Sequence, residues 1–413
     1  MSLAKFKPVV TIRTALASSV LCSLLLIAAH PAQAQTESVL YGFTNGGLPY
    51  DSVVLDSAGN VYGTAYEDGL YGVGVVFELS PASGGGGWNY AVLYSFTGGL
   101  DGGDPTSSLI FDSAGNLYGT ATFGGANSEG VVFELSPAGG TWTETVLYNF
   151  CSLPNCTDGA RPNSGLVRDK NGNLYGATAN FTNGSGTVVS GTVFELSPSE
   201  NGWNETAIYS ADLDLIAGVS LDQNGNIYGV VPEGGKFKSG YAFELSPTPN
   251  DGWNASVIYN FRNSSYPEGN VILDPSGNLY GTTFYGGSHN HGSVFKLTPG
   301  KDGWTKVNLH SFPEGGKDDG YQPFSAALTL DNKGNIYGTV PFNSEKSTHG
   351  GVVFELTPNG ASYEETILWE FNGSPYDGAF PHAGIVLDGA GNLYGTTLGG
   401  GEYDFGTVFK LTP

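Results

Sequence analysis

Four polar residues of this sequence, Asp51, Asn163, Glu268 and His382, are of types that transfer protons or bind metal ions. Three of them stand six residues before an aspartate that opens an Asp-x-x-Gly-Asn segment, and Asp51 stands five residues before another. The equivalent residues of the seven copies differ: Tyr50, Thr106, Asn163, Ile216, Glu268, Ser325 and His382. Function is most easily placed where a regular repeat varies. We therefore predict that the four residues form a polar or metal-binding cluster; unselected polar variation is the alternative.

A second group of candidate metal ligands consists of His289, His291 and His349, in glycine-rich segments of two consecutive repeats. His-x-His spacing can chelate a metal ion, although histidines beside glycine are more often exposed to solvent. Cys151 and Cys156 flank the segment Ser-Leu-Pro-Asn. In an exported protein we expect these cysteines to form a disulfide, with a reactive thiol or a metal site as the alternative.

The element that must position these residues is a repeat with the motif Gly-Asn-x-Tyr-Gly. Its copies are 52 to 57 residues apart and centre on Asn60, Asn116, Asn173, Asn226, Asn278, Asn335 and Asn392. Each copy contains four short segments rich in β-branched and aromatic residues, bounded by Gly, Pro, Asn or Asp. A period near fifty residues is typical of a β-propeller with one blade per repeat. The sequence predicts an all-β, seven-bladed β-propeller with four antiparallel strands per blade.

The residues that recur in every copy are better explained by folding than by chemistry. An Asp precedes each Gly-Asn pair, and its side chain can accept hydrogen bonds from the backbone of its own turn. The glycine provides the positive φ that the turn needs. We predict that the repeated Tyr packs between blades and that five tryptophans pack at blade edges, although Trp can also stack on a sugar: Trp88, Trp142, Trp203, Trp253 and Trp304.

The two ends of the chain predict how the ring closes. Residues 38–43 match the fourth strand of the other repeats, whereas the last repeat ends at Pro413 after its third strand. We expect the N-terminal segment to complete the last blade, which leaves no exposed sheet edge. Residues 35–413 then form a single propeller domain.

The first 34 residues have the pattern of a signal peptide: a basic start, an apolar stretch from Ala15 to Ala29, and an A-x-A cleavage site at residues 32–34. Its removal changes the net charge from −23 to −26, because three basic residues leave with it. So acidic a surface repels nucleic acid and anionic lipid. We expect a secreted or periplasmic monomer with no membrane span after cleavage. The charge favours solubility, and collection of Ca²⁺ is the alternative role.

The run Gly-Asn-Leu-Tyr-Gly-Thr, followed by Gly-Gly and then Gly-x-Val-Phe-Glu-Leu-Ser-Pro, resembles the GloVer tandem repeat of exported bacterial "choice-of-anchor" proteins. Good copies lie at 115–137, 277–299 and 391–413, and the resemblance covers residues 38 to 413. It implies an exported, surface-associated repeat protein and carries over no catalytic residues. The sequence departs from the family's pattern because no hydrophobic or sorting segment follows Pro413, so we expect release rather than anchoring.

Two functional hypotheses follow. The first is a secreted, non-catalytic binding or scaffold propeller that recognises a glycan or a protein on an acidic loop face. That face would carry five acidic side chains, which we expect to be solvated rather than to form a metal-binding rim: Asp101, Asp104, Asp158, Asp319 and Asp377.

The second hypothesis is a metal-dependent lyase or hydrolase, similar to propeller lactonases or antibiotic lyases. Its site would lie at the mouth of the central channel, where Glu268, His382, Asp51 and Asn163 would carry the metal or the acid–base chemistry. A divalent ion such as Ca²⁺ is the cofactor that this alternative requires.

Overall fold

A computed structural model of the protein describes residues 35–182, 188–211, 218–250, 252–263, 265–313, 320, 322–323, 327–342, 350–360, 362–375 and 377–413. The predicted signal peptide lies outside these residues. Seven four-stranded antiparallel sheets follow one another along the chain, and each corresponds to one repeat. The prediction of a seven-bladed, all-β propeller is therefore confirmed.

The strands are numbered in chain order. The first is β1 (Thr36–Gly42). Blade 1 contains β2 (Val54–Leu55), β3 (Val61–Ala65), β4 (Val75–Pro81) and β5 (Trp88–Ser95). Blade 2 contains β6 (Ile110–Phe111), β7 (Leu117–Ala121), β8 (Val131–Ala138) and β9 (Thr141–Asn149), and a short 3-10 helix follows at Pro154–Cys156. Blade 3 contains β10 (Val167–Arg168), β11 (Leu174–Ala177), β14 (Gly191–Ser199) and β15 (Gly202–Ala211), with an inserted hairpin of β12 (Phe181–Thr182) and β13 (Val188–Val189).

Blade 4 contains β16 (Ser220–Leu221), β17 (Ile227–Val231), β18 (Tyr241–Pro247) and β19 (Trp253–Asn260). Blade 5 contains β20 (Pro267–Leu273), β21 (Leu279–Thr283), β22 (Ser293–Thr298) and β23 (Thr305–Ser311). Blade 6 contains β24 (Thr329–Leu330), β25 (Ile336–Val340), β26 (Val352–Asn359) and β27 (Ser362–Glu370). Blade 7 contains β29 (Val386–Leu387), β30 (Leu393–Thr397) and β32 (Thr407–Thr412), and a small ladder pairs β28 (Gly378–Ala379) with β31 (Gly399–Gly400).

The N-terminal strand lies in the last blade. β1 pairs antiparallel with β32, so the sheet order is β1-β32-β30-β29. The pairing carries a β-bulge between Val39 and Tyr41. The outer strands of the six other blades have a bulge at the equivalent place. β1 thus reproduces the geometry of a fourth strand in detail, including the local bend that a bulge introduces.

The core lies between blades, and its largest fully buried side chains are all phenylalanines. Phe133 of β8 packs over Gly119 of β7, where an added Cβ would lie only 2.6 Å from the Phe133 ring. On its other side Phe133 meets Phe96 of the preceding blade in a T-shaped contact with ring centroids 5.1 Å apart. Equivalent pairs join most of the other blades. The glycine of the repeat motif therefore makes room for a ring of the adjacent strand, and that ring holds two blades together.

The recurring Asp has the folding role that the sequence predicts. Oδ1 of Asp112 accepts hydrogen bonds from the backbone N–H of Ala114 at 2.8 Å and of Asn116 at 2.9 Å. Its Oδ2 accepts from Nδ2 of Asn116 at 3.0 Å and from Oη of Tyr118 at 3.2 Å. The two backbone bonds recur in all seven turns. These carboxylates stabilise the hairpins between the first two strands.

Candidate functional site at the channel mouth

At four junctions, the residues before the innermost strand are held by a hydrogen bond from the preceding blade. Oγ1 of Thr120, at the end of β7, donates to the backbone carbonyl of Ser164 in blade 3 at 3.3 Å. Equivalent bonds run from Thr64 to Ser107 at 3.0 Å, from Thr339 to Ala383 at 2.8 Å and from Thr396 to Asp51 at 3.1 Å. The threonine of the Gly-Thr pair therefore fixes the backbone around the channel mouth.

A cavity of about 460 Å³ opens at this mouth. It is lined by Tyr50, Asp51, Tyr66, Thr106, Thr122, Phe123, Asn163, Ser164, Gly165, Gly218, Gly269, Asn270, Ala327 and His382. Three of the four predicted site residues, Asp51, Asn163 and His382, thus share one cavity. The fourth, Glu268 of β20, precedes Gly269 and Asn270 in the lining and is itself only 8% exposed.

Small residues line the cavity where the inner strands crowd the axis. A Cβ added to Gly165 would lie 2.4 Å from Oγ of Ser108 in the neighbouring blade. Near the axis, the backbone N–H of Gly218 donates to Oδ1 of Asn270, which joins blades 4 and 5.

Asp51 joins two blades. Its Oδ1 accepts from the backbone N–H of Ser52 at 2.6 Å, and its Oδ2 accepts from the backbone N–H of Ser108 at 2.8 Å. Burial raises the pKa of Asp51, and these backbone donors oppose that shift. Since both carboxylate oxygens already accept backbone hydrogen bonds, the geometry assigns Asp51 to the wall of the cavity.

His382 and Tyr50 lie together on one side of the cavity, with ring centroids 5.1 Å apart. Burial lowers the pKa of His382 to about 4, so the imidazole is neutral at pH 7. Tyr50 is 41% exposed and presents part of its ring to the solvent. This side of the cavity is therefore aromatic and uncharged.

Glu268 and Asn163 supply buried oxygens without a hydrogen-bond partner among the described residues. These are Oε2 of Glu268 and Oδ1 of Asn163. Burial raises the pKa of Glu268 to about 7, so its carboxyl group is partly protonated at neutral pH. A buried oxygen that lacks a donor is costly to the folded protein. A ligand that brings donors to these two atoms would remove that cost.

Phe123 and Tyr66 belong to the lining but were missed by the sequence reasoning. Phe123 is 38% exposed, and the guanidinium of Arg161 lies 5.2 Å from its ring centroid. Arg161 in turn contacts Glu129 at 3.1 Å, which fixes the arrangement. Tyr66 directly follows the second strand of its blade, and Phe123 lies two residues after the second strand of the next. The repeats differ in sequence at these places, and that difference could have indicated both residues.

The acidic loop side chains are not simply solvated, which corrects the prediction. Asp158 is fully buried and accepts hydrogen bonds from Oη of Tyr148 at 2.8 Å and from the backbone N–H of Ser152 at 2.7 Å. Asp101 and Asp377 likewise accept from backbone N–H groups of their own loops. The loops therefore use these carboxylates to fix their own conformation, as the Asp turns do.

The remaining predicted residues are distributed over the loops. His289 is exposed and its Nδ1 lies 2.9 Å from Oγ of Ser288, while His291 is partly buried in the same loop. Cys151 and Cys156 are bonded to each other through their sulfur atoms. Ile216, Asp319, Ser325 and His349 lie outside the described residues. Within the described ranges, no group of three or more His, Cys, Asp or Glu side chains is arranged to hold a metal ion.

The sequence matches the Gloeobacter/Verrucomicrobia repeat family over residues 27–215 and again over 215–413. The chain belongs to this family. The two matches together cover the whole ring of blades. A search of curated proteins finds no match to the sequence. In the part of the chain that the structure describes, no helix has the length and apolar character needed to cross a membrane.

Solved structures with a similar fold come from proteins of different kinds. Puromycin hydrolase aligns with a TM-score of 0.58 and 12% identity, over 85% of this chain and 50% of that one. The extracellular domain of a putative one-component system from B. thetaiotaomicron has a TM-score of 0.54 and 10% identity, over 91% and 40%. A protein from Lactobacillus plantarum has a TM-score of 0.51 and 13% identity, over 82% and 88%. At these identities the similarity shows the propeller fold alone.

Proposed function

We propose that the protein is an exported, non-catalytic binding propeller that takes a glycan into the cavity at the channel mouth. One observation carries the proposal: the cavity brings the buried Oδ1 of Asn163, which lacks a partner among the described residues, together with the exposed rings of Tyr50 and Phe123. Glu268, whose Oε2 also lacks a partner among those residues, directly precedes two lining residues. The volume of about 460 Å³ falls within the range of roughly 300–1,000 Å³ that is typical of small-ligand sites.

The chemistry of the lining fits a sugar better than a strongly charged ligand. A saccharide ring presents an apolar face that can stack on Tyr50 or Phe123. Its hydroxyl groups can donate to Oδ1 of Asn163 and Oε2 of Glu268 and so satisfy both atoms. His382 is neutral and Glu268 is only partly ionised at pH 7, since burial shifts both pKa values. The site therefore offers many polar atoms and little net charge.

A glycan array followed by calorimetric titration tests the proposal. We expect the purified protein to select a saccharide and Phe123→Ala to weaken its binding about ten-fold, because a stacked ring contributes about 1 kcal/mol or more. Phe405→Ala is the matched control, since Phe405 is 37% exposed, close to the 38% of Phe123, but lies outside the cavity. Equal weakening by both substitutions, or no saccharide bound, would contradict the proposal.

Glu268 supports acid–base catalysis as a second candidate function. A carboxyl group with a pKa of about 7 beside a ligand cavity can give or take a proton at physiological pH. In this alternative, the protein would be a lyase or hydrolase that acts on the bound ligand. Conversion of the selected saccharide that is abolished in Glu268→Gln would support it; a ligand recovered unchanged would argue against it.

The metal-dependent form of this alternative has its own test. The test is elemental analysis of the purified protein together with thermal unfolding in the presence and absence of EDTA. A stoichiometric divalent ion and a melting temperature lowered by EDTA would support a metal-dependent enzyme. An unchanged melt without a stoichiometric ion would contradict it and leave binding as the function to pursue.

A further inference from the structure

The repeated tyrosine of the second strand is covered by an aromatic ring of the next blade at six of the seven junctions between blades. In each of these the tyrosine is only 4–6% exposed. The covering ring and the repeated tyrosine belong to the same packed cluster in each case. Named in that order, the pairs are Trp88 with Tyr394, Trp142 with Tyr62, Trp203 with Tyr118, Trp253 with Tyr175, Trp304 with Tyr228, and Tyr363 with Tyr280. An aromatic pair at the blade junction is therefore a regular part of this fold.

Among the described residues, no aromatic ring takes the equivalent place at the junction between blades 6 and 7. Five of the six covering residues lie opposite a proline of the third strand, as Trp253 lies opposite Pro247. In blade 7 the register of β1 with β32, continued by one residue, places Gln35 opposite Pro413. Tyr337, the tyrosine of blade 6, is accordingly more exposed than its six equivalents.

A groove of about 710 Å³ lies at this junction, on the face of the propeller that carries the Asp turns. Tyr337, Glu355, Leu387, Gln35 and Pro413 contribute to its walls. Oε1 of Gln35 is buried and has no hydrogen-bond partner among the described residues. The groove is separate from the channel-mouth cavity, because the Asp turns follow the inner strands whereas the cavity residues precede them.

The junction between blades 3 and 4 shows which group fits such a groove. The indole of Trp253 meets Tyr175 in a T-shaped contact with ring centroids 5.9 Å apart. Its Nε1–H donates to Oε2 of Glu195 at 3.3 Å. Tyr337 pairs across the strands with Glu355 as Tyr175 pairs with Glu195. The two residues that receive the indole in one groove are therefore present in the other.

We propose that the groove between blades 6 and 7 is a binding site for a small indole-class ligand, which occupies the place that a tryptophan holds at the other junctions. The ring stacks edge-to-face with Tyr337, and its N–H donates to the carboxylate of Glu355. Anionic indoles bind poorly, since the described lining carries three side-chain carboxyl groups, those of Asp331, Glu355 and Asp388, against the single ammonium group of Lys333. The proposal does not depend on the glycan site.

Two isomeric probes test the site by calorimetric titration: 3-methylindole, which has an N–H group, and 1-methylindole, which has none. We expect 3-methylindole to bind one site per chain about ten-fold more tightly, because a hydrogen bond to a carboxylate contributes that much. Glu355→Ala should abolish the difference between the isomers. Equal affinities for the unmodified protein, or no binding of 3-methylindole, would overturn the proposal.

Two exchanges of residues test the location. Gln35→Trp places the missing ring in the groove; it should abolish binding of 3-methylindole and raise the melting temperature by about 2 °C. Trp253→Gln removes the ring from the wall of the equivalent groove between blades 3 and 4, which has a volume of about 590 Å³, and should add a second site to each chain. Retained binding in Gln35→Trp would overturn the assignment. If either exchange prevents folding, Glu355→Ala still tests the proposal, because Glu355 is not part of the buried core. The measurement is then whether this variant loses the preference for 3-methylindole over 1-methylindole.

Discussion

At the scale of single residues, carboxyl groups serve two opposite purposes in this protein. The turn aspartates are held in the ionised form: burial raises the pKa of Asp274, but hydrogen bonds from Asn278, Tyr280 and Ser276 outweigh burial and lower it. Glu144 on an outer strand shows the reverse, because burial and the nearby charge of Asp101 raise its pKa to about 7. Carboxyl groups with a lowered pKa stabilise the folded protein at neutral pH, whereas those with a raised pKa destabilise it there.

The turn carboxylates should be a source of acid sensitivity. The pKa of Asp274 is lower in the folded protein than in the unfolded chain, where it is about 3.9. The contribution of Asp274 to the free energy of unfolding is therefore present above the unfolded pKa and is lost as the pH falls through the folded pKa. We expect Asp274→Ala to lower the free energy of unfolding by about 1–2 kcal/mol at pH 7 and by less at pH 2.5. Urea denaturation measures both. Asp302→Ala, at an exposed position, is the control; an equal loss at both pH values would contradict this account.

The buried glutamates should make the protein less stable as the pH rises. The pKa of Glu144 is higher in the folded protein than in the unfolded chain. The contribution of its protonated form to the free energy of unfolding is therefore fully present below the unfolded pKa and is lost as the pH rises through about 7. Glu144→Gln should match the unmodified protein at pH 5 and exceed its stability at pH 8.5, by on the order of 1 kcal/mol after solvent screening. Glu200→Gln removes the same charge from an exposed position. A similar gain in that control would assign the effect to net charge instead.

At the scale of elements, the order and approximate bounds of the four strands could be predicted from the sequence. In blade 2 the observed second strand, Leu117–Ala121, begins one residue after Asn116, on which that copy of the motif centres. The bulge of each outer strand could not be predicted, because it depends on which residues pair across two strands. The reason for the second glycine of the motif also needed the structure, since Gly119 and Phe133 belong to different strands.

The contact between glycine and phenylalanine gives a prediction at this scale. Gly119→Ala would place a Cβ 2.6 Å from the ring of Phe133, and such overpacking should cost about 1–3 kcal/mol. Gly86→Ala is the matched control, because an added Cβ there meets nothing within 4 Å. Chemical denaturation of both variants measures the difference. If both substitutions had the same small effect, the glycine would not be needed for packing between blades.

At the scale of the whole molecule, the ring depends on a strand contributed by the start of the described chain. Leu40, in the bulge of β1, is 8% exposed and belongs to the cluster between blades 7 and 1. We expect Leu40→Ala to lower the free energy of unfolding by about 2–4 kcal/mol, as a core substitution does. Leu70→Ala, at a position that is 80% exposed, should have little effect. Similar stability of the two variants would show that β1 is not part of the cooperative fold.

The candidate site could be predicted only in part, because several of its residues are brought together by the arrangement of the blades. The divergent position of the repeat predicts Asn163 and His382, and four of the described copies place that position in the lining of the channel-mouth cavity. Hydrogen bonding from Ser108, far away in sequence, gives Asp51 a structural role that its residue type did not reveal. Phe123 reaches the same cavity from the end of another strand, so its contribution depends on how adjacent blades are arranged.

NMR of the selected saccharide in the presence of the protein tests the proposed glycan site most directly. We expect transfer of saturation from the protein to the sugar, loss of that signal in Phe123→Ala but not in Phe405→Ala, and an unchanged sugar spectrum after prolonged incubation. A signal that survives Phe123→Ala would contradict the proposed site. New sugar resonances that require Glu268 would contradict the proposal of a non-catalytic function.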